Sequence, residues 1–270
     1  QAQGRWMYRV NNLVLSIFPG IDLLGRAFEE EGFCVVRGPD LLWGGDIRTF
    51  HPPARVFAGI IGGPPCQEFS PLRHLLAAQG RQPRHPNMIP EFERCVGEAG
   101  PTWFVMENVP EAPIPVVEGY IIYSLLVNNR WIGGIQHRER RFSFGTRSGI
   151  RLDLSSDLVV FEADDWANTV INASADNSPR RKGRIPASVT AGHGPLKYRA
   201  VTSSDGGPSI RMSRYTLEEM CVLQGLPPDY FGLDVPLTME GKRHVIGNGV
   251  PLPLGRAIAR AVKIAIGGIA

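Results

Sequence analysis

The sequence predicts an α/β protein: a mostly parallel sheet covered on both faces by helices, with a small irregular second domain. Three observations carry this. Through the first half of the chain, short apolar runs alternate with amphipathic stretches of helical spacing. The residues suited to chemistry stand just past the ends of those runs, where open α/β sheets bind ligands. From about residue 152 to 213 the text turns to Ser, Asn, Gly, Pro and Arg, as in "NASADNSPRRKGRIPASVTAGHG", with little helical periodicity. With 270 residues, 43% of them hydrophobic, the chain can bury a real core.

The elements follow in order. "LVLSIF" (13–18) predicts a buried strand, "IDLLGRAFEEEGF" (21–33) an amphipathic helix closed by Gly32, and "CVVRG" a second strand, giving a βαβ opening. Strand "RVFAGII" (55–61), helix "MIPEFERCVGEA" (88–99) and strand "TWFVMEN" (102–108) continue the alternation, and "YIIYSLL" and "RRFSFG" predict two further strands. Helical spacing returns in "YTLEEMCVLQG" (215–225), stopped by Gly225. It returns again in "PLPLGRAIARAVKIAI" (251–266), whose early proline suits a helix start and whose apolar spacing predicts docking on the first domain. The expected division is a large domain from 1–151 with 240–270 and a small one from 152–239.

Composition narrows the function classes. No apolar run approaches the roughly 18 residues of a membrane span and nothing resembles a signal peptide, so the expectation is a cytoplasmic enzyme. Cys34, Cys66, Cys95 and Cys221 stand far apart without a CxxC pair or a histidine at ligand spacing, which argues against a metal site or a disulfide frame. Net charge is only +3, but Arg138, Arg140, Arg141, Arg147 and Arg151 precede "RRKGR" at 180–184. A basic middle third suits a phosphate-binding surface; solvated arginines are the alternative.

"GGPPCQEFS" (62–70) follows an apolar run with residues that stop regular structure and then a cysteine. Cys66 is therefore read as displayed, against the alternative of a packed thiol. Glu107 ends the next apolar run, in "MENVP", where an acid is costly unless it faces a cleft or caps the surface. "FPGID" (18–22) places a glycine turn before a helix N-terminus, and Asp40 and Asp46 lie near neighbouring strand ends. A cysteine hydrolase would need a histidine base, and His51, His74, His85, His137, His193 and His244 carry no motif for it.

These residues carry a family resemblance. "GGPPCQEFS" resembles the Pro-Cys nucleophile motif of the DNA cytosine-5 methyltransferases, "ENV" (107–109) their Glu-Asn-Val motif, and "QHRER" (136–140) their Gln-x-Arg-x-Arg motif. "RYTLEEMCVLQGLPPDY" (214–230) is similar to the motif that returns from target recognition, and "IGNGVPLPLGRAIA" (246–259) to the final Gly-Asn-x-Val motif. The order is the family's order over nearly the whole chain, and the short spacings resemble compact phage or prokaryotic members.

The resemblance implies a Rossmann-like S-adenosylmethionine-dependent fold with a target-recognition domain, acting on double-stranded DNA in the manner of restriction-modification enzymes. A monomer is expected. Cys66 would add to carbon 6 of a cytosine flipped out of the duplex, helped to ionise by a helix end or cations. Glu107 would hold N3, which requires a raised pKa. Arg138 and Arg140 would approach the base. For the cofactor it implies Phe18, Pro19, Gly20, Ile21, Asp22 and Leu23 at the methionine moiety, Asp40 at the ribose, Asp46 and Ile47 at the adenine, and Pro64, Asn248 and Val250 around the pocket. Gln136, Arg180, Arg181, Lys182 and Arg184 are expected on DNA, the last four mainly on its backbone, with a site of about two to four base pairs.

Two departures stand out. Asp22 and Leu23 occupy positions where the family places glycines, and the ribose acid is displaced to Asp40. The rival readings are the tRNA-methylating branch, whose Cys-Phe-Thr is absent here, and a non-catalytic DNA-binding homologue.

Overall fold

The computed structural model describes residues 12–69, 86–159, 196–202, 208–232 and 235–267. The first strand, β1 (Leu13–Ile17), leads into α1 (Leu23–Glu30) and returns through β2 (Cys34–Arg37). There follow β3 (Gly59–Gly62), α2 (Ile89–Ala99), β4 (Trp103–Asn108), β5 (Ile121–Asn128) and β6 (Glu139–Thr146). These strands form one six-stranded sheet in the order β2-β1-β3-β4-β6-β5. β2, β1, β3 and β4 pair in parallel, while β6 runs antiparallel between β4 and β5. The order reverses at β1, and its C-terminal edge opens the crevice expected of such sheets.

Side-chain alternation with a period of two divides the core into two layers. Val14, Ile61, Trp103 and Val105 point to one face, where α1 and the last helix α5 (Leu252–Ala265) supply Leu24, Phe28, Leu254, Ile258 and Val262. Leu15, Ile17, Ile60, Phe104 and Met106 point to the other, against Phe92, Cys95 and Val96 of α2. Every residue of β4 is buried, as a central strand covered on both faces requires. Gly59 pairs with Trp103, and a Cβ there would lie 2.2 Å from the indole ring. Gly59→Ala is therefore expected to lower unfolding free energy by roughly 1–3 kcal/mol, measured by urea denaturation.

Three sequence expectations need correction. Pairing in β3 starts at Gly59, not at residue 55, because Arg55 takes a left-handed turn (φ 61°) and donates its N–H to Ala99 O at 2.8 Å. The stretch read as irregular contains an antiparallel hairpin, β7 (Leu196–Thr202) with β8 (Pro208–Arg214). Between α3 (Leu217–Leu223) and α5 lies an unforeseen helix, α4 (Met239–Asn248). α3 begins with a complete capping box between Thr216 and Glu219. Its Leu217, Met220, Cys221 and Leu223 share one apolar cluster with Leu23 and Ala27 of α1 and Leu252 of α5. Among the described residues, no helix is long and apolar enough to cross a membrane.

Candidate active site

The side chains singled out from the sequence converge at the C-terminal ends of β1, β3 and β4. There one cleft of about 660 Å³ runs from Asp40, Asp46 and Ile47 past Phe18, Pro19, Gly20, Ile21 and Pro64 to Cys66, Glu107, Arg138 and Arg140, with Asn248 on its far wall. Its volume lies within the roughly 300–1,000 Å³ of small-molecule sites. A small recess between β1 and β4, lined by Ser16, Asp22, Leu23, Glu107, Asn248 and Val250, adjoins it.

At one end a half-buried Cys66 follows Pro65, just after β3. Glu107, near the end of β4, forms an ion pair from Oε1 to Arg140 Nε at 3.0 Å. Burial pushes the Glu107 carboxyl up from its ordinary value, against the pull of Arg140 and Arg138. The Cys66 thiol is also pushed up, by burial and by the facing Glu107 carboxylate, while Arg140 and Arg138 pull it down. The expected help from cations is present in Arg140 and Arg138, but desolvation and the Glu107 carboxylate outweigh it, so the net direction is upward. The two loops are tied together, since Asn108 Nδ2 donates to Pro64 O at 3.2 Å and a Cβ on Gly63 would lie 2.9 Å from Glu107 Oε2.

Arg138 and Gln136 play parts the sequence did not reveal. Arg138 is buried and donates through one nitrogen to Gly247 O at 2.9 Å and Gly249 O at 3.1 Å. Burial beside Arg140 pulls its pKa down to about 9. Gln136, expected on DNA, is 0% exposed and donates to Leu223 O at 2.6 Å and Gln224 Oε1 at 3.0 Å. A side chain without surface has no face to offer a duplex, so Gln136 is corrected to a buried tie between the β5–β6 loop and α3. Gln224, which the sequence reading passed over, extends that tie by donating to Ile246 O at 2.6 Å. Through Gln136, Gln224 and Arg138, the segment that follows the hairpin is bonded to the Gly247–Gly249 wall of the cleft.

The other end of the cleft explains the departures in "FPGID". Phe18, Gly20 and Asp22 all take left-handed backbone, with φ of 55°, 55° and 54°. Aspartate is among the few residues besides glycine that visit this region readily. Asp22 also caps α1, accepting from Gly25 N at 3.1 Å and from Ser16 Oγ at 2.7 Å, with Arg37 Nε at 2.9 Å. Burial pushes its carboxyl up, while Ser16 and Arg37 pull it down. Leu23 fills the space against Gly249, where a Cβ would lie 2.7 Å from its side chain, so Leu23 and Val250 reach only the recess. Asp40 accepts Gly20 N and Leu42 N, both at 2.8 Å, and Trp43 Nε1 donates to Gly20 O at 2.8 Å. Asp46 is drawn down to about 2 by its bonds from Arg48. Arg180, Arg181, Lys182 and Arg184 lie outside the described residues, and among the described ones no cluster of His, Cys, Asp and Glu could hold a metal.

Known proteins match this arrangement. The family model for C-5 cytosine-specific DNA methylases matches residues 44–113, the segment from the Asp46 loop through Cys66 to just past Glu107. The Type II methyltransferase M.HgiDI of Herpetosiphon aurantiacus is 25% identical, over 92% of this chain and 93% of its own. A methyltransferase of Entamoeba histolytica superposes with a TM-score of 0.59 at 11% identity, covering 94% of this chain and 98% of that one. A prophage-encoded DNA modification methyltransferase, described as putative, from E. coli gives 0.54 at 18%, covering 94% and 99%. The two structures support the fold; in the matched segment, in the full-length relative and in the convergence of the ordered motifs on one cleft, the chain is similar to the C-5 cytosine-specific DNA methylases.

Proposed function

We propose that the protein is a DNA cytosine-5 methyltransferase that takes its methyl group from S-adenosylmethionine. The observation that carries this reading is the juxtaposition, in one cleft, of Cys66 with the buried Glu107–Arg140 pair. A cytosine ring is a poor carbon nucleophile until a thiolate adds to carbon 6. Cys66 makes that bond, and Glu107 holds N3 and delivers a proton there as negative charge builds on the ring. Carbon 5 would then take the methyl group, a water would accept the carbon-5 proton, the bond to Cys66 would break as the ring double bond re-forms, and N3 would return its proton to Glu107.

The cleft fits the cofactor in shape and chemistry. Asp40 and Asp46 offer carboxylates for ribose hydroxyls and an adenine amine, and the left-handed turns at Phe18 and Gly20 bring backbone close to the methionine end. Bound there, S-adenosylmethionine supplies an electrophilic methyl group. Phe18, Pro19 and Ile21 form the wall at the turn, Ile47 and Pro64 line the cleft, Asn248 faces them, and Asp22, Leu23 and Val250 line the recess. Arg140 orients Glu107. Arg138 acts through the Gly247 and Gly249 carbonyls.

The small domain reads the target, and its boundary is best drawn before α3, because α3 shares its apolar cluster with α1 and α5. Arg180, Arg181, Lys182 and Arg184 would contact the phosphate backbone. The test is a duplex carrying 5-fluorocytosine at the methylated site, incubated with S-adenosylmethionine. The fluorine cannot leave as a proton does, so wild-type protein is expected to form an adduct that survives denaturing electrophoresis. No adduct with any duplex in which 5-fluorocytosine replaces cytosine would reject the reading.

A further inference from the structure

We propose that Arg94 is a positioning residue for the adenine end of the cleft, holding the Asp46–Phe50 loop in the shape that selects an adenosyl group. This rests on the reading of the cleft as an S-adenosylmethionine site. The loop lies between β2 and β3 and takes no part in the sheet. Its internal bonds are local, spanning two or three residues: Arg48 donates its N–H to Asp46 Oδ1 at 3.0 Å and Nη2 to Oδ2 at 2.6 Å, and a single 3-10 turn is closed by Thr49 N–H to Asp46 O and Phe50 N–H to Ile47 O, both at 3.2 Å. Ile47 anchors it to the apolar cluster of α2, and an apolar anchor sets depth without fixing the direction of the peptide groups.

Arg94, on the same helix, ties the turn's outward carbonyls to α2. Its Nη2 donates to Ile47 O at 2.8 Å and to Phe50 O at 3.0 Å, so one nitrogen closes the loop across its two ends. The rest of the guanidinium is fixed: Nε donates to Glu91 at 2.8 Å and Nη1 to Glu98 at 2.8 Å. Glu98 is itself paired with His51 Nδ1 at 3.1 Å, at the loop's exit. A guanidinium carries its donors in a rigid planar fork. With two carboxylates gripping Nε and Nη1, the remaining nitrogen is aimed at the two carbonyls. Lysine in its place would keep the charge between Glu91 and Glu98 but lose the fork.

The consequence is selectivity. Asp46, whose carboxylate already accepts from the Arg48 guanidinium (Nη2 to Oδ2 at 2.6 Å), has lone pairs left that suit the amino group of adenine. A 6-oxo purine presents an acceptor of its own and leaves two acceptors facing each other, which a rigid site rejects strongly and a loose one tolerates. Arg94 therefore makes the loop both tighter for adenosyl ligands and more discriminating.

Calorimetric titration of S-adenosylhomocysteine and S-inosylhomocysteine into wild type, Arg94→Lys and Arg94→Gln tests this, with circular dichroism reporting the fold. In both variants, affinity for the adenosyl ligand should fall about tenfold, as for loss of one charge-assisted hydrogen bond, and the preference over the inosyl ligand should shrink. Duplex DNA affinity should hold, and at saturating S-adenosylmethionine kcat should stay within about threefold while KM rises. Unchanged affinity and preference, or an equal loss for both ligands, would overturn the inference. If Arg94→Gln fails to fold, Arg94→Lys decides alone. Wild type binding neither ligand would overturn the cofactor reading and this inference together.

Discussion

Cys66→Ser is expected to fold, to bind S-adenosylhomocysteine and duplex DNA as wild type does, and to lose methyl transfer by at least about 10³-fold, or about 4 kcal/mol of barrier. The fold should survive because the side chain is half-buried at the margin of an apolar cluster, where an oxygen for a sulfur leaves the packing around Phe69 and Met88 in place. Chemistry should not survive. A serine hydroxyl ionises far less readily than a thiol, and the groups acting on position 66 are a carboxylate and two arginines, none placed as a general base for a hydroxyl. The measurement is tritium transfer from labelled cofactor to DNA, with the 5-fluorocytosine adduct as a second readout. A serine variant within tenfold of wild type, or one that still forms the adduct, would show that the reaction does not depend on a Cys66 thiolate.

What could be read in the sequence was what repeats locally or punctuates sharply. β1, α1 and β4 declare themselves through runs such as "LVLSI" and "WFVMEN", and Cys66 and Glu107 through breakers and an acid at strand ends. α4, "MEGKRHVIGN", hides because its interior holds a glycine and adjacent charges and buries only Val245, Ile246 and Gly247. The true start of β3 hides because "RVFA" reads as strand, while the turn at Arg55 is a backbone event with no side-chain signature. The resemblance puts Gln136 on DNA, whereas its partners stand at Leu223 and Gln224, and nothing near position 136 announces them. Arg94 had a visible local pattern, with Glu91 and Glu98 at helical spacing, but that pattern reads as a solvated helix face. Only the fold shows that the same guanidinium also reaches Ile47 and Phe50.

Glu107→Gln should change two rates in opposite directions. The carboxylate faces Cys66 and pushes its thiol pKa up, while Arg140 and Arg138 pull it down. Removing that negative charge, and freeing Arg140 from its ion pair, both favour thiolate, so the thiol pKa falls and more thiolate is present at any pH below it. Each unit of fall raises the thiolate fraction about tenfold and lowers its intrinsic nucleophilicity, a net gain of about threefold in alkylation rate. Cys66 in the variant should therefore react faster with iodoacetamide at pH 7.5, and its rate should begin to climb at lower pH than in wild type. Cys34 is exposed and also reacts, so the rate is followed on the peptide containing Cys66 by mass spectrometry. Methyl transfer should nonetheless fall by about 10²-fold or more, the low end of what a positioned general acid contributes. The amide can hydrogen-bond N3 but has no acidic proton to give it, whereas burial raises the native carboxyl toward a value at which it can. A variant whose Cys66 alkylates no faster would mean that the carboxylate does not govern the thiol. One that methylates within about threefold of wild type would reduce Glu107 to a cap on its strand.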